Sequence, residues 1–207
     1  LHRDDPDTDV AVAVETFNAM HEEGSIRAFG ASNWMHTRIE EANEYAYKHN
    51  LIPFSVSSPN FCLARQIEDP WGGGCVNISG PENQEARAWY EKNQMPVIAY
   101  ASLGRGFFSG RMKSEYADHA GDYLDSFEMT GYACSDNFER LHRCEIIAER
   151  HGVTVAQIAM NWIFSHPLNI FAIASMSKAD RMKANREALL LQLSDEEIAY
   201  LDLETPE

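Results

Sequence analysis

Positive charge is scarce in this chain. Among its 207 residues, 17 Lys and Arg stand against 32 Asp and Glu, for a formal net charge of -15. That balance excludes non-specific binding to nucleic acid or to an anionic membrane, both of which need a basic surface. It leaves room for one phosphorylated small molecule, because a local arginine cluster suffices. Cysteine is sparse too. Cys62, Cys75, Cys134 and Cys144 show no Cys-x-x-Cys spacing, which favours reduced thiols over zinc or disulfides. No metal site is read elsewhere either. The Asp4-Asp5-Pro6-Asp7 run precedes a helix start, where the helix dipole favours acidic residues without any metal. No apolar run is long enough to span a bilayer, and no signal peptide is read. With the cysteine usage, this makes a cytoplasmic location the expectation. Internal repeats and low-complexity stretches are absent. No Gly-x-Gly-x-x-Gly follows a first strand, which counts against a doubly wound dinucleotide fold.

What is present reads as one globular domain over residues 1–207, with 44% hydrophobic and 24% charged residues. Helix and strand alternate. Thr8 can cap a helix with the apolar stripe Val10, Val14, Phe17 and Met20, and Gly24 lies just past its end. Thr37 can start a second helix carrying Ile39, Ala42 and Ala46. Further helices are expected over Glu82 to Asn93, over Asn137 to His151 with Gly152 as the stop, and from about Ala179. Thr154-Val155-Ala156-Gln157 and Ser194-Asp195-Glu196-Glu197 are capping boxes that open two more, the first running to about Phe164. Strands are expected at 26–31, 52–56, 97–101 and 169–174. The strand at 97–101 is apolar throughout, as a strand buried on both faces should be. Long links follow two strands, at about 58–80 and 102–134, and put irregular backbone on one face. Periodicity alone fits a barrel or an open parallel sheet.

Four clusters fall at or just after strand ends. They are Ser32-Asn33-Trp34, Ser57-Ser58-Pro59-Asn60-Phe61, Tyr100-Ala101-Ser102-Leu103-Gly104-Arg105-Gly106, and Ser175-Met176-Ser177 with Arg181 and Asn185 beyond. Any one of them also reads as turn formers, core aromatics or a solvated helix face. Together they offer amide partners, an aromatic platform, a Gly-Arg-Gly turn and a cation. A dinucleotide needs that inventory.

With Leu1-His2-Arg3 ahead of them, these motifs resemble the aldo/keto reductase family in order and spacing. The resemblance runs from Leu1 to about Leu203. It covers the later part of the family's barrel, from the end of the fourth strand. It implies an incomplete (β/α)8 TIM barrel, roughly the second half, and an NAD(P)H-dependent oxidoreductase that reduces an aldehyde or ketone to an alcohol. It also implies roles. His2 resembles the active-site histidine that orients the substrate carbonyl. Ser32 and Asn33 resemble the ligands of the nicotinamide carboxamide, and Tyr100 the residue that stacks on the ring. Ala101, Leu103, Arg105 and Gly106 resemble the loop that passes the pyrophosphate. Ser175, Ser177, Arg181 and Asn185 resemble the adenosine and 2'-phosphate site. Trp34, Phe61 and Phe107 are candidates for the substrate pocket, with a core role as the alternative.

The departures are informative. Ser58 stands where many members carry Gln, and it is shorter. Ser175 stands where many carry Lys or Gly, which weakens the preference for NADP(H) over NAD(H), while Arg181 sustains it. No counterpart of the family's catalytic tyrosine, lysine and aspartate appears, so the isolated chain is expected to be inactive. Its expected partners are a carbonyl substrate and either the missing N-terminal barrel segment or a self-associating copy. The alternative is a non-catalytic half-barrel or truncated remnant that acts as a nucleotide-binding or interaction module.

Overall fold

The computed structural model of the chain describes residues 1–205. Among these residues, four short parallel strands form one sheet in the order β1 (Ala31–Ser32), β2 (Ser57–Ser58), β3 (Val97–Ala99), β4 (Ile170–Ala172). Sequence neighbours are therefore sheet neighbours, and each crossover carries helix, as parallel strands require. The register pairs Ala31 with Ser57, Ser57 with Val97, and Val97 with Ile170. All carboxyl ends thus fall along one rim.

The helices are α1 (Val10–Glu22), α2 (His36–Lys48), α3 (Gln84–Asn93), α4 (Ser126–Tyr132), α5 (Ser135–His151), α6 (Val155–Phe164), α7 (Ala179–Ala188) and α8 (Asp195–Leu201). Local chemistry sets their ends. Asp9, not Thr8, caps α1 by accepting from the Ala11 amide at 2.9 Å. Thr154 and Ser194 form the expected capping boxes with Gln157 and Glu197. Gly152 ends α5 in the left-handed conformation, φ 65°. The core lies between sheet and helices. Val97 and Ala99 meet it from β3, Ile39, Ala42 and Ala46 from α2, and Leu141, Cys144 and Ile147 from α5. Ile98 is only half-buried, so β3 is not sealed on both faces as expected. Among the described residues no helix is long and apolar enough to cross a membrane.

Further expectations change. Of the strand expected at 26–31 only Ala31 lies in β1, which ends at Ser32. The segment at 52–56 is not a regular strand; β2 begins at Ser57, although the Ser55 amide already donates to the Phe29 carbonyl and the Ala31 amide to the Val56 carbonyl, each at 3.1 Å. Helix side chains satisfy its earlier backbone: Asn18 brackets Ile52, accepting from its amide at 2.8 Å and donating to its carbonyl at 3.0 Å, and Asn43 accepts from the Phe54 amide at 2.9 Å. The long link at 102–134 is largely helical, with 3-10 turns over Gly104–Gly106 and Ser114–Asp122 followed by α4. A reciprocal Asp125/Glu128 capping box starts α4.

The two sheet edges differ. Beside β1, the Leu1 amino group donates to the Gly30 carbonyl at 2.9 Å and the Ser32 amide donates to the Leu1 carbonyl at 2.7 Å. Beside β4, Phe171 and Ile173 are exposed.

Candidate cofactor site at the strand ends

Backbone strain marks the carboxyl rim. Among the described residues, six non-glycines have positive φ. Asn50, Gln94 and Leu203 lie just past helix ends, where left-handed caps are ordinary. The other three are Asn33 (φ 58°), Ala101 (φ 51°) and Arg105 (φ 60°). All three lie in the motifs singled out above, two of them in the turn after β3. Such strain persists only where surrounding structure imposes it, and it concentrates at binding sites.

The turn after β3 faces α7 across a cleft of about 610 Å3. Ala101, Leu103, Arg105 and Gly106 line one wall, and Ser175, Arg181 and Asn185 the other. These residues are more than 65 positions apart, and folding brings them to one cavity. Left-handed backbone at Ala101, Gly104, Arg105 and Gly106 curls the turn into a concavity; within it the Gly104 amide donates to the Ala101 carbonyl at 2.7 Å and the Gly106 amide to the Leu103 carbonyl at 3.1 Å. At Gly106 a φ of 128° strains any side chain, and a Cβ would also make the Glu128 carboxylate, 2.6 Å away, shift. The Arg105 guanidinium is turned aside, bonded to Asp125 at 3.0 Å and held over the Phe127 ring. Its contribution to the cleft is therefore backbone. Arg181 makes no ion pair among the described residues and is the cleft's available cation. Concave turn, free guanidinium and Asn185 fit the phosphate-bearing half of a dinucleotide. Sequence reading missed one wall, the start of α6 with Thr154, Ala156 and Gln157. Its capping box was the visible signal.

The neighbouring strand ends are arranged differently. The Asn33 side chain is buried and its amide is fully partnered: Nδ2 donates to the His2 carbonyl at 3.1 Å and to Ser32 Oγ at 3.2 Å. Its Oδ1 accepts from the Tyr100 hydroxyl at 2.7 Å and the Val76 amide at 3.1 Å. Ser32 Oγ donates to the Ser58 carbonyl at 2.8 Å, and Ser58 Oγ donates to the Ile98 carbonyl at 2.7 Å. Burial holds the Tyr100 phenol neutral by raising its pKa, with Cys75 and Asp69 adding to the shift. The edge of Trp71 meets the Tyr100 ring at 5.8 Å and 75°. Trp71 belongs to the glycine-rich loop, which Asp69 braces at the Trp71 and Cys75 amides and Arg3 ties down at the Gly73 carbonyl. Tyr100, Asn33, Ser32 and Ser58 thus form one connected cluster, and the loop packs against it at Tyr100 and Asn33.

Several assignments change here. Phe61 and Phe107 are completely buried and belong to the core. Phe61 packs against Trp162 and His166, and Phe107 against Phe108 and Phe138. The burial around Phe61 lowers the His166 pKa to about 4. Trp34 is 3% exposed and packs edge-on against Phe54, away from the cleft. Ser177 is exposed and outside the cleft lining. His2 sits beside Asn33 through its carbonyl while its side chain is exposed.

The Aldo/keto reductase family model matches residues 1–203. The chain belongs to the aldo/keto reductase family. An aldo-keto reductase of Strobilurus tenacellus is 24% identical over 202 residues, 96% of this chain and 54% of that protein. An aryl-alcohol dehydrogenase of Pestalotiopsis microspora is 22% identical over 204 residues, 98% of this chain and 47% of that protein. The crystal structure of a thermostable aldo-keto reductase bound to the inhibitor epalrestat superposes with a TM-score of 0.66 at 22% identity, over 98% of this chain and 57% of that one. That likeness is one of fold. The chain spans about half the length of the relatives it matches.

Proposed function

We propose that this chain is the cofactor-holding part of an NAD(P)H-dependent carbonyl reductase, corresponding to the later part of the barrel. The observation that carries the proposal is the cleft that joins the Ala101–Gly106 turn to Ser175, Arg181 and Asn185. A nicotinamide dinucleotide would supply the hydride. The chain's own residues bind and orient. The concave turn presents amides to a pyrophosphate, and Arg181 offers a charge-assisted contact to a 2'-phosphate, which favours NADP(H) over NAD(H). Tyr100 provides a neutral aromatic face, and Ser32 and Asn33 provide amide partners once their internal bonds exchange. Ser58, bonded within the sheet, acts on that face through Asn33's cluster rather than directly. A carbonyl-orienting role for His2 is part of the proposal and requires its exposed side chain to turn toward Asn33. Proton donation requires a tyrosine, lysine and aspartate supplied from outside these residues; without a proton donor, rates fall on the order of a hundredfold to ten-thousandfold. An aryl-alcohol dehydrogenase among the relatives favours aromatic aldehydes as substrates.

The loop over Tyr100 supports a second reading, a module that binds the nucleotide without reducing anything. Tryptophan fluorescence of the folded chain, titrated with NADPH and then NADH, tests the proposal. Saturable quenching with a preference for NADPH is expected. No binding by the folded chain would remove the proposal's basis. Aldehyde reduction after restoring the upstream segment would separate reductase from binding module.

A further inference from the structure

The first turn of α6 forms one wall of the cofactor cleft through Thr154, Ala156 and Gln157, and the fold leaves one donor on it unused. Gln157 closes the capping box of the helix. Its Oε1 accepts from the Thr154 amide and from Thr154 Oγ1, each at 3.0 Å, and its backbone amide donates back to Thr154 Oγ1 at 3.3 Å. The cap uses only the oxygen of that side chain, and a glutamate serves there equally well. The amide nitrogen Nε2 is surplus to it. Gln157 is 7% exposed. Its Nε2 makes no hydrogen bond among the described residues, yet it is not one of the atoms sealed from solvent. Gln157 lines the cleft, and the cleft is where this donor finds space.

We infer that Gln157 reads the purine base of the cofactor, donating from Nε2 to a ring nitrogen. This rests on the dinucleotide reading of the cleft, which gives the pyrophosphate to the turn after β3 and the 2'-phosphate to Arg181. The base is the polar part of that half that still lacks a partner on α6. Beside Gln157, Ala156 of α6 and Ala184 of α7 bring only methyl groups to the cleft, which leave room for a flat ring and give it an apolar surface. Adenine carries its acceptor nitrogens in the plane of such a ring. Asp180 also lines the cleft, and its carboxylate disfavours a further phosphate there. The cap already fixes the Gln157 side chain through Oε1, so little freedom is lost when Nε2 binds. A ligand without the acceptor would leave a nearly buried N–H unpaired, which is how such a donor discriminates.

Adenosine 2',5'-bisphosphate is the probe, together with its 1-deaza, 3-deaza and 7-deaza analogues, each of which has C–H in place of one ring nitrogen. Calorimetry on the full chain measures all of them against the parent protein and against Gln157→Glu, which keeps the cap and removes the donor. One analogue should bind the parent about tenfold more weakly than the bisphosphate itself, the loss expected for one donor left unpaired. That deficit should vanish in Gln157→Glu, because the partner of the missing nitrogen is then gone as well. The analogues on the parent protein decide the matter if Gln157→Glu does not fold. Equal affinity of the parent for the bisphosphate and every analogue would overturn the inference and leave the cofactor reading standing, as would a deficit that persists undiminished in Gln157→Glu. No saturable binding of the bisphosphate by the folded parent would overturn both.

Discussion

The carboxyl rim of the sheet has an open half and a covered half. Between the turn after β3 and α7, about 610 Å3 is free, and Arg181 stands without an ionic partner among the described residues. Beside it, around Tyr100, both side-chain polar atoms of Asn33 are bonded within the protein and Trp71 meets the ring. The open half is built from backbone curvature and one surface cation, neither of which needs a ligand to be stable. The covered half is built from side chains with strong hydrogen-bonding needs, which the chain satisfies itself because a buried unpaired amide is costly. A phosphate-bearing group should therefore find its place ready, whereas a planar amide and ring must displace the loop.

The largest effect is expected where the covered half meets the sheet. A Cβ at Gly30 would collide with the Val56 carbonyl oxygen, and backbone cannot yield as a side-chain tip can. Gly30→Ala should push β1 from β2, cost about 3 kcal/mol in urea denaturation, and break the Asn33–Tyr100 bond while leaving the open cleft. A denaturation midpoint equal to the parent's would show that the strands do not approach as described. Next comes Arg181→Ala, expected to weaken NADPH about tenfold, the low end for a charge-assisted contact because the residue is exposed. NADH should bind as before; parallel losses for both nucleotides would make Arg181 a general contact. The smallest effect has the opposite sign. Trp71→Ala removes an aromatic pair worth about 1 kcal/mol and should tighten NADPH about fivefold, with adenosine 2',5'-bisphosphate unchanged. Weaker NADPH binding would mean that Trp71 helps to hold the ring and does not cover its place.

The sequence revealed the parts of this rim that depend on local chemistry. The capping boxes at Thr154 and Ser194, the stop at Gly152 and the stripe of Ile39, Ala42 and Ala46 all rest on neighbours within a turn or two. The cofactor motifs were visible as runs of residue types, and the cleft unites seven of the residues named for it. What stayed hidden depends on distant partners. Asn18, 34 positions away, brackets Ile52 and takes up the backbone groups that a strand would offer there. Nothing in the order of residues distinguishes an aromatic that lines a pocket from one beneath it, so Phe61 and Phe107 read as candidates although both are core. The contact of Trp71 with Tyr100 spans 29 positions and depends on how a glycine-rich loop turns. The helix α4 could have been found, because Asp125 and Glu128 have capping-box spacing, but it is only seven residues long.

The contrast between the two halves can be tested by splitting the dinucleotide. Calorimetry on the folded chain would compare adenosine 2',5'-bisphosphate, which carries only the phosphate-bearing half, with nicotinamide mononucleotide, which carries only the ring half. Saturable binding of the bisphosphate, with no detectable heat from the mononucleotide, is the predicted result. Binding of the mononucleotide without the bisphosphate would contradict the account.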